Sequence, residues 1–512
     1  MDAVKAPRRA AGEYEEAMEQ HNYTLQNARR YEAANAAPAE KRPVFHAVPP
    51  VGWCNDPNGF SRFGGKYHLF FQYHPYSTAW GPMHWGHATT TDFIHWEQQP
   101  CALAPDTAAD NAGCFSGGAI EWQGRQLLLY TGVCRRESAD GAVRETQQQC
   151  LAVGDGVNYT KCAQNPVIPP ENQPAGASMA DFRDPYLFAR DGRLYALIGG
   201  RGANGHGRLL LYAADDAGTQ WTFVRVLAGN DGSLGSMWEC PSLFPLGGKE
   251  ILLFSPQYMR TSPDGRYHCG NGVVALIGQW GGPSSAFERQ TDMPVDAGLD
   301  FYAPQVVADP EGDGRTVMLG WMQNWDHCYP PAELPFYGQM TLPRELFMRD
   351  GRLCQRPVRE LDAARRLRAV HKGVALEEGE RALAGVQGRV LDMALTLSRA
   401  PDCRRFGLCV ACDDTHFTEL RLDFEENLLR LDRRYAGGVR DAAELRESPL
   451  TDLPAVFTLR VVLDRYSAEF FVNDGAQTAT VALYDTPQSA DGILFYTRGG
   501  CTMDVQAYEL DI

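Results

Sequence analysis

Between residues 45 and 346 the apolar positions fall into short runs bounded by turn residues, the pattern of buried strands rather than of amphipathic helices. Five runs open with glycine followed by lysine or arginine: Gly65-Lys66, Gly124-Arg125, Gly192-Arg193, Gly248-Lys249 and Gly314-Arg315. A turn-and-strand unit recurring about every sixty residues predicts a β-propeller of four-stranded blades, five in number. A solenoid of stacked sheets is the alternative, disfavoured because there is no short fixed repeat. Residues 13–37 differ. They are polar, with Tyr14, Met18 and Leu25 near one face, and predict a helix ended by Pro38 that braces or covers the main body. Residues 347–372, with Pro357 and a basic helical stretch over 360–368, predict a linker. Alternation then returns at 391–397, 417–424, 428–431, 457–463, 468–472 and 493–496, with Asn473-Asp474-Gly475 as a hairpin turn, and predicts a β-sandwich. The expected fold is all-β: an N-terminal helical extension (1–40), a five-bladed propeller (41–346), a linker (347–372) and a β-sandwich (373–512).

Polar motifs recur at one place in the repeat. Asp56 and Glu239 stand nine residues before their glycines, Ser116 and Asp184 eight. Proline follows closely in Asp56-Pro57, Asp184-Pro185 and Glu239-Cys240-Pro241, and the fifth unit keeps one in Asp300-Phe301-Tyr302-Ala303-Pro304. Proline fixes its own φ and drives the preceding residue towards extended geometry, so Asp56 is held stiffly. Alone, Asp56-Pro57-Asn58-Gly59 is a structural turn. Repeated once per blade, on the innermost strand, the motif sends three carboxylates to one central pocket.

Three acids in an aromatic-lined pocket suit glycoside hydrolysis, in which one carboxyl donates a proton and another attacks or supports the sugar cation. Crowded like charges raise at least one pKa. Glu239 has the longer arm for a proton donor, and Asp56 suits a nucleophile.

The remaining chemistry narrows the field. A formal net charge of −16 disfavours nucleic acid or an anionic membrane as partner. No run is long enough to span a bilayer, and the basic N-terminus lacks the apolar segment of a secretory signal. The 14 cysteines lack a disulfide framework's spacing, which predicts reduced thiols and a cytoplasmic location. His84, His87 and His95 lie among Trp80, Trp85 and Trp96 without ligand spacing, so no metal is expected. Cys409-Val410-Ala411-Cys412 lacks a second pair, and in a strand its thiols would face opposite sides. Arg404-Arg405 and Arg433-Arg434 read as solvated turn charges. Ser116 has no nucleophile elbow and fits a sugar contact better. Arg183 fits a partner that keeps Asp184 ionised.

Trp53-Cys54-Asn55-Asp56-Pro57-Asn58-Gly59 resembles the signature of the β-fructofuranosidases of glycoside hydrolase family 32, the invertases and sucrose-6-phosphate hydrolases. Further stretches match in order: Phe71-Gln72-Tyr73-His74-Pro75, Trp85-Gly86-His87-Ala88, Phe115-Ser116-Gly117-Gly118-Ala119, Arg183-Asp184-Pro185, Glu239-Cys240-Pro241 and Asp300-Phe301-Tyr302-Ala303-Pro304, then the stretch 462–475. The resemblance covers residues 40–512. It implies a five-bladed propeller with a β-sandwich and retaining hydrolysis of terminal β-fructofuranosides. In that reading Asp56 attacks the anomeric carbon and Glu239 is acid, then base. Asp184 binds fructose hydroxyls and steadies the oxocarbenium-like transition state. Retention predicts Asp56 and Glu239 carboxyls roughly 5–5.5 Å apart. Asn55, Gln72, Trp80, Phe115, Ser116, Arg183, Asp300, Tyr302 and Trp321 are expected to line the sugar pocket, with no metal or organic cofactor. Cys54 and His74 depart from the larger apolar residue and the asparagine usual there, which bears on fine specificity. The expected partner is a small sugar: sucrose 6-phosphate first, then sucrose or short fructans. Arg135 and Arg136 are the candidate phosphate ligands. Fructosyl transfer and an inactive carbohydrate-binding propeller are the alternative functions.

Overall fold

The computed structural model describes residues 23–137, 141–308, 312–327, 333–438 and 443–512. Of the helix expected over 13–37, the described part is α1, Leu25–Asn35, and residues 13–22 lie outside the described residues. Thr24 caps it, its side chain accepting from the Asn27 N–H, and the chain leaves in extended geometry before Pro38. α1 lies on an outer strand of the first sheet, where the Glu32 carboxylate accepts the Cys101 N–H at 2.8 Å. Burial raises the Glu32 pKa to about 7.

Five antiparallel meanders follow, each in chain order. The first is β1 (Gly52–Phe63), β2 (Lys66–His74), β3 (His84–Thr90) and β4 (Glu97–Leu103); the second is β5 (Gly113–Trp122), β6 (Arg125–Glu137), β7 (Val143–Gly154) and β8 (Tyr159–Lys161). The third is β9 (Phe182–Arg190), β10 (Arg193–Arg201), β11 (Gly207–Ala214) and β12 (Trp221–Gly229); the fourth is β13 (Met237–Leu246), β14 (Lys249–Gln257), β15 (Val274–Gln279) and β16 (Glu288–Pro294). The fifth starts with β17 (Tyr302–Ala308) and β18 (Thr316–Trp321). A short strand β19 (Phe336–Tyr337) intervenes before β20 (Arg344–Arg349) and β21 (Arg352–Pro357) complete it.

The glycine-led turns explain the hairpins. Gly64-Gly65, Gln123-Gly124, Asp191-Gly192 and Gly247-Gly248 all have positive φ at both positions, the backbone of a tight hairpin matched to strand twist. The first strands make a closed ring of contacts, β1 with β5, β5 with β9, β9 with β13, β13 with β17, and β17 with β1. β19 pairs in parallel with the start of β1, Gly52 opposite Phe336 and Trp53 opposite Tyr337, so the fifth repeat supplies a strand to the first sheet. This is consistent with a β-propeller.

Residues expected to be a linker are ordered differently. β20 and β21 form a hairpin of the fifth sheet, only Arg359–Ala363 is helical, and Arg365–Leu376 is a strand paired with Cys501–Leu510. Arg365 accounts for the switch: it bonds Asp392 at 2.7 Å and covers the Tyr508 ring, which ties the basic stretch to a sheet. Two six-stranded antiparallel sheets make the C-terminal sandwich. Met393, Leu395, Val461, Phe470 and Val505 of one share a core with Leu408, Leu420, Leu431 and Phe495 of the other.

Buried charge joins the two bodies. Asp464 accepts the Val44 and Phe45 N–H groups and bonds His46 Nδ1 at 2.8 Å, while His46 Nε2 meets Glu469 at 2.9 Å. Arg344 donates to Glu469 and Asp296, both at 3.0 Å. Arg433, expected to be a solvated turn charge, is instead buried and bonded to Asp300. The parity argument for Cys409 and Cys412 fails too. Ala411 has φ 53° and the register breaks between the two cysteines, so strict alternation does not hold there and the Cys412 thiol raises the pKa of Cys409. Every described cysteine is a free thiol. Among the described residues no group of three or more His, Cys, Asp or Glu side chains could hold a metal, and no helix is long and apolar enough to cross a membrane.

Candidate active site

Each first strand breaks its pairing register at its motif: between Cys54 and Pro57, Phe115 and Gly117, Arg183 and Tyr186, Glu239 and Ser242, and Tyr302 and Gln305. A bulge bends a strand and re-aims a side chain. Asp184, Cys240 and Ala303 take positive φ at these breaks, strain that non-glycine residues hold only where the surroundings impose it.

Cys240 shows that the three acids meet. It follows Glu239 in the chain, its N–H donates to Asp184 Oδ2 at 3.1 Å, and its thiol donates to Asp56 Oδ2 at 3.7 Å. Ser116 Oγ donates to the same Asp56 oxygen at 2.9 Å. Asp56 Oδ1 is buried with no hydrogen-bond partner among the described residues. Asn55 accepts from Trp53 Nε1 at 2.8 Å and bonds the Asp56 carboxylate, and Gln72 donates to the Cys114 carbonyl.

Glu239 is held at both oxygens. Oε1 accepts from Arg183 Nε at 2.8 Å and Oε2 from the Tyr302 hydroxyl at 2.7 Å. Arg183, expected beside Asp184, thus bonds Glu239, and its other nitrogens donate to Gln147, Asp181 and Gln257. Burial, then the Glu239 charge, raises the Asp56 pKa to about 6 despite hydrogen bonds from Asn55, Ser116 and Cys240. Burial and then Glu239 also push Asp184 well above the ordinary carboxylate range, outweighing the Arg183 charge. Burial and Glu239 raise the Tyr302 phenol, which stays a donor at neutral pH.

Aromatic rings adjoin the Tyr302 that holds Glu239, the Trp321 ring lying 6.5 Å from it. Trp321 lies 6.1 Å from Trp53 and 4.9 Å from Trp325 between ring centroids, and its indole N–H is buried without a partner among the described residues. Trp80, 36% exposed, meets Phe115 edge-on at 6.1 Å. The arrangement provides a carboxylate oxygen able to attack, a second carboxyl fixed by two donors, and a third acid facing both.

Residues 46–357 match the model of the glycosyl hydrolases family 32 N-terminal domain, and residues 360–511 that of the family 32 C-terminal domain. The chain belongs to glycoside hydrolase family 32. Raffinose invertase of Escherichia coli is 39% identical over 464 residues, covering 89% of this chain and 92% of that protein. Sucrose-6-phosphate hydrolase of Escherichia coli is 36% identical over 470 residues, with coverage of 89% and 92%. Among solved structures, the family 32 β-fructofuranosidase of Bombyx mori superposes with a TM-score of 0.80 at 32% identity, over 95% of this chain and 98% of that one. Sucrose-6-phosphate hydrolase of Lactobacillus gasseri gives 0.79 at 26% identity, over 95% and 99%.

In this family 32 chain one expected pocket residue faces elsewhere. Asp300 turns to the sandwich, where its carboxylate accepts from Arg433 at 2.5 Å and from the Ala482 N–H at 2.8 Å. It precedes β17 and the bulge at Ala303, so it is not re-aimed inward as Tyr302 is. Cys240, Gln147, Asp181 and Gln257 were not expected at the site. Gln147 and Gln257, which accept from Arg183, lie on other strands of their sheets, Gln147 opposite Val133 and Gln257 opposite Met237, which only the register reveals.

Proposed function

We propose that this chain is a retaining β-fructofuranosidase that hydrolyses sucrose or sucrose 6-phosphate by double displacement, without metal or organic cofactor. Asp56 Oδ1 attacks the anomeric carbon of the fructosyl unit while Glu239 gives its proton to the glycosidic oxygen, and the glucosyl part leaves as an alcohol. The resulting fructosyl ester of Asp56 is opened by water. Glu239, now a carboxylate, takes one water proton, the oxygen bonds to the anomeric carbon, and Asp56 departs as a carboxylate. Asp184 bonds fructose hydroxyls beside the developing positive charge. Arg183 and Tyr302 hold Glu239 in place. In this reading the five meanders are five blades, the pocket lies on their common axis, and the free thiols fit a reducing cytoplasm.

One observation carries the reading: a buried aspartate with one oxygen fixed by Ser116 and Cys240 and the other unpartnered, beside two more acids. Its test is chemical. Asp56→Asn is expected to lose kcat on sucrose by on the order of 10⁴-fold or more. Glu239→Gln should lose about 10²–10⁴-fold, and with a fructoside bearing an acidic leaving group it should accumulate a fructosyl group on the Asp56 peptide, seen by mass spectrometry. A Glu239→Gln enzyme that turns over such a substrate with no adduct and inverted product would rule out double displacement.

A further inference from the structure

The leaving group departs from the Glu239 side of the pocket, which is walled by the ends of the third and fourth sheets. Arg183 pairs across β9 and β10 with Gly199, so Arg201 stands two residues further out on the same face, roughly 7 Å along the strand. Its N–H donates to the Asp181 carbonyl, and its guanidinium bonds Asp181 Oδ2 at 2.5 Å. Asp181 Oδ1 accepts from Arg183, and Arg183 donates to Glu239. A continuous line of charge-assisted bonds therefore runs from Arg201 through Asp181 and Arg183 to Glu239. On the facing sheet Gln257 accepts from Arg183. The next residue, Tyr258, has φ 59° and is 49% exposed, and its phenol feels the charges of Glu239, Arg183, Asp181 and Arg201.

The charge arithmetic favours an anion here. Asp181 is shared by two guanidiniums, and Glu239 must be protonated to act as an acid, so these four side chains carry net positive charge as the substrate binds. The Arg201 side chain is 42% exposed, and a guanidinium matches the oxygens of a phosphate. A chain of net charge −16 can attract a phosphorylated sugar only through such a local cation. Arg135, the candidate from the sequence, is worse placed. It lies four residues beyond Thr131, the partner of Phe115, roughly 13 Å along the strand, and is bound to Glu145 at 3.2 Å.

We propose that Arg201 binds the phosphate of a phosphorylated leaving group, with the Tyr258 ring alongside the sugar, and so sets a preference for sucrose 6-phosphate over sucrose. This rests on the β-fructofuranosidase reading. The test measures kcat/KM on both substrates for the wild type, Arg201→Gln and Arg201→Lys. The wild type should favour sucrose 6-phosphate by about tenfold or more, and Arg201→Gln should lower that ratio by about ten- to a hundredfold, through KM. Arg201→Lys should recover part of it, and 0.5 M salt should compress the ratio in the wild type only. Inorganic phosphate should compete with sucrose in the wild type and less in Arg201→Gln. A wild-type ratio near one, or an Arg201→Gln enzyme equally impaired on both substrates, would overturn the assignment while leaving the fructosidase intact. A wild type that cleaves neither substrate would instead overturn the reading on which it rests.

Discussion

Two clusters of buried carboxylates lie in this molecule, one in the pocket and one between the ring of sheets and the sandwich, and they are wired oppositely. At the interface Asp464, Glu469, Asp296 and Asp300 each meet a cation: His46, Arg344 or Arg433. For Asp464 and Glu469 burial pushes the pKa up, but His46, and for Glu469 first Arg344, outweigh it and hold both below the ordinary value. In the pocket three acids have one guanidinium bonded among them, on Glu239, and Asp56 and Asp184 keep their protons to higher pH. Burial is common to both, so the supply of counter-charge decides whether a buried acid fastens the fold or stays reactive.

The largest effect expected from this contrast is at Arg344. Arg344→Met strands Glu469 and Asp296 as buried charges and should cost about 3–5 kcal/mol in chemical denaturation at neutral pH; a loss under about 1 kcal/mol would show the interface ions to be dispensable. Next comes His46. Burial opposes its charge, yet Asp464 and Glu469 raise it from 6.5 to about 9. Its folded value lies above its unfolded one, so the stability it adds is complete below pH 6.5 and lost as pH rises through 9, about 3 kcal/mol in all. A flat thermal midpoint between pH 6 and 10 would contradict this. The smallest effect has the opposite sign. Asp56 rises from 3.8 to about 6 on folding, so its ionisation opposes the fold above pH 6 and not below 3.8. Asp56→Asn should gain about 1–3 kcal/mol at pH 7.5 and almost nothing at pH 4, while losing activity. A stability loss at pH 7.5 would place Asp56 with the structural acids.

How much of this could be seen in the sequence follows the same division. The pocket acids were legible because each sits at a fixed offset from a glycine turn and beside a proline, and the bulges that aim them occur at those prolines. The interface was not legible. Arg433 and Asp300 lie 133 residues apart, His46 and Glu469 423 apart, and nothing local marks either pair. Asp300 was misplaced because its motif resembles the others while its side chain precedes the bulge. Cys409 and Cys412 were misjudged because one extra residue at Ala411 reverses the alternation on which the parity argument relied. The expected linker dissolved into strands because Arg365 finds its partners, Asp392 and Tyr508, far along the chain.

The two-residue strand β19 has a consequence for how the catalyst is born. Gly52 and Trp53, directly before the motif that holds Asp56, are zipped to Phe336 and Tyr337 from the far end of the ring, and the Gly52 N–H donates to the Pro335 carbonyl at 2.9 Å. A ribosome therefore delivers the strand of Asp56 early but cannot seat it until nearly three hundred further residues have emerged. The strand that carries Asp56 is the first of its ring to be made and the last to be finished.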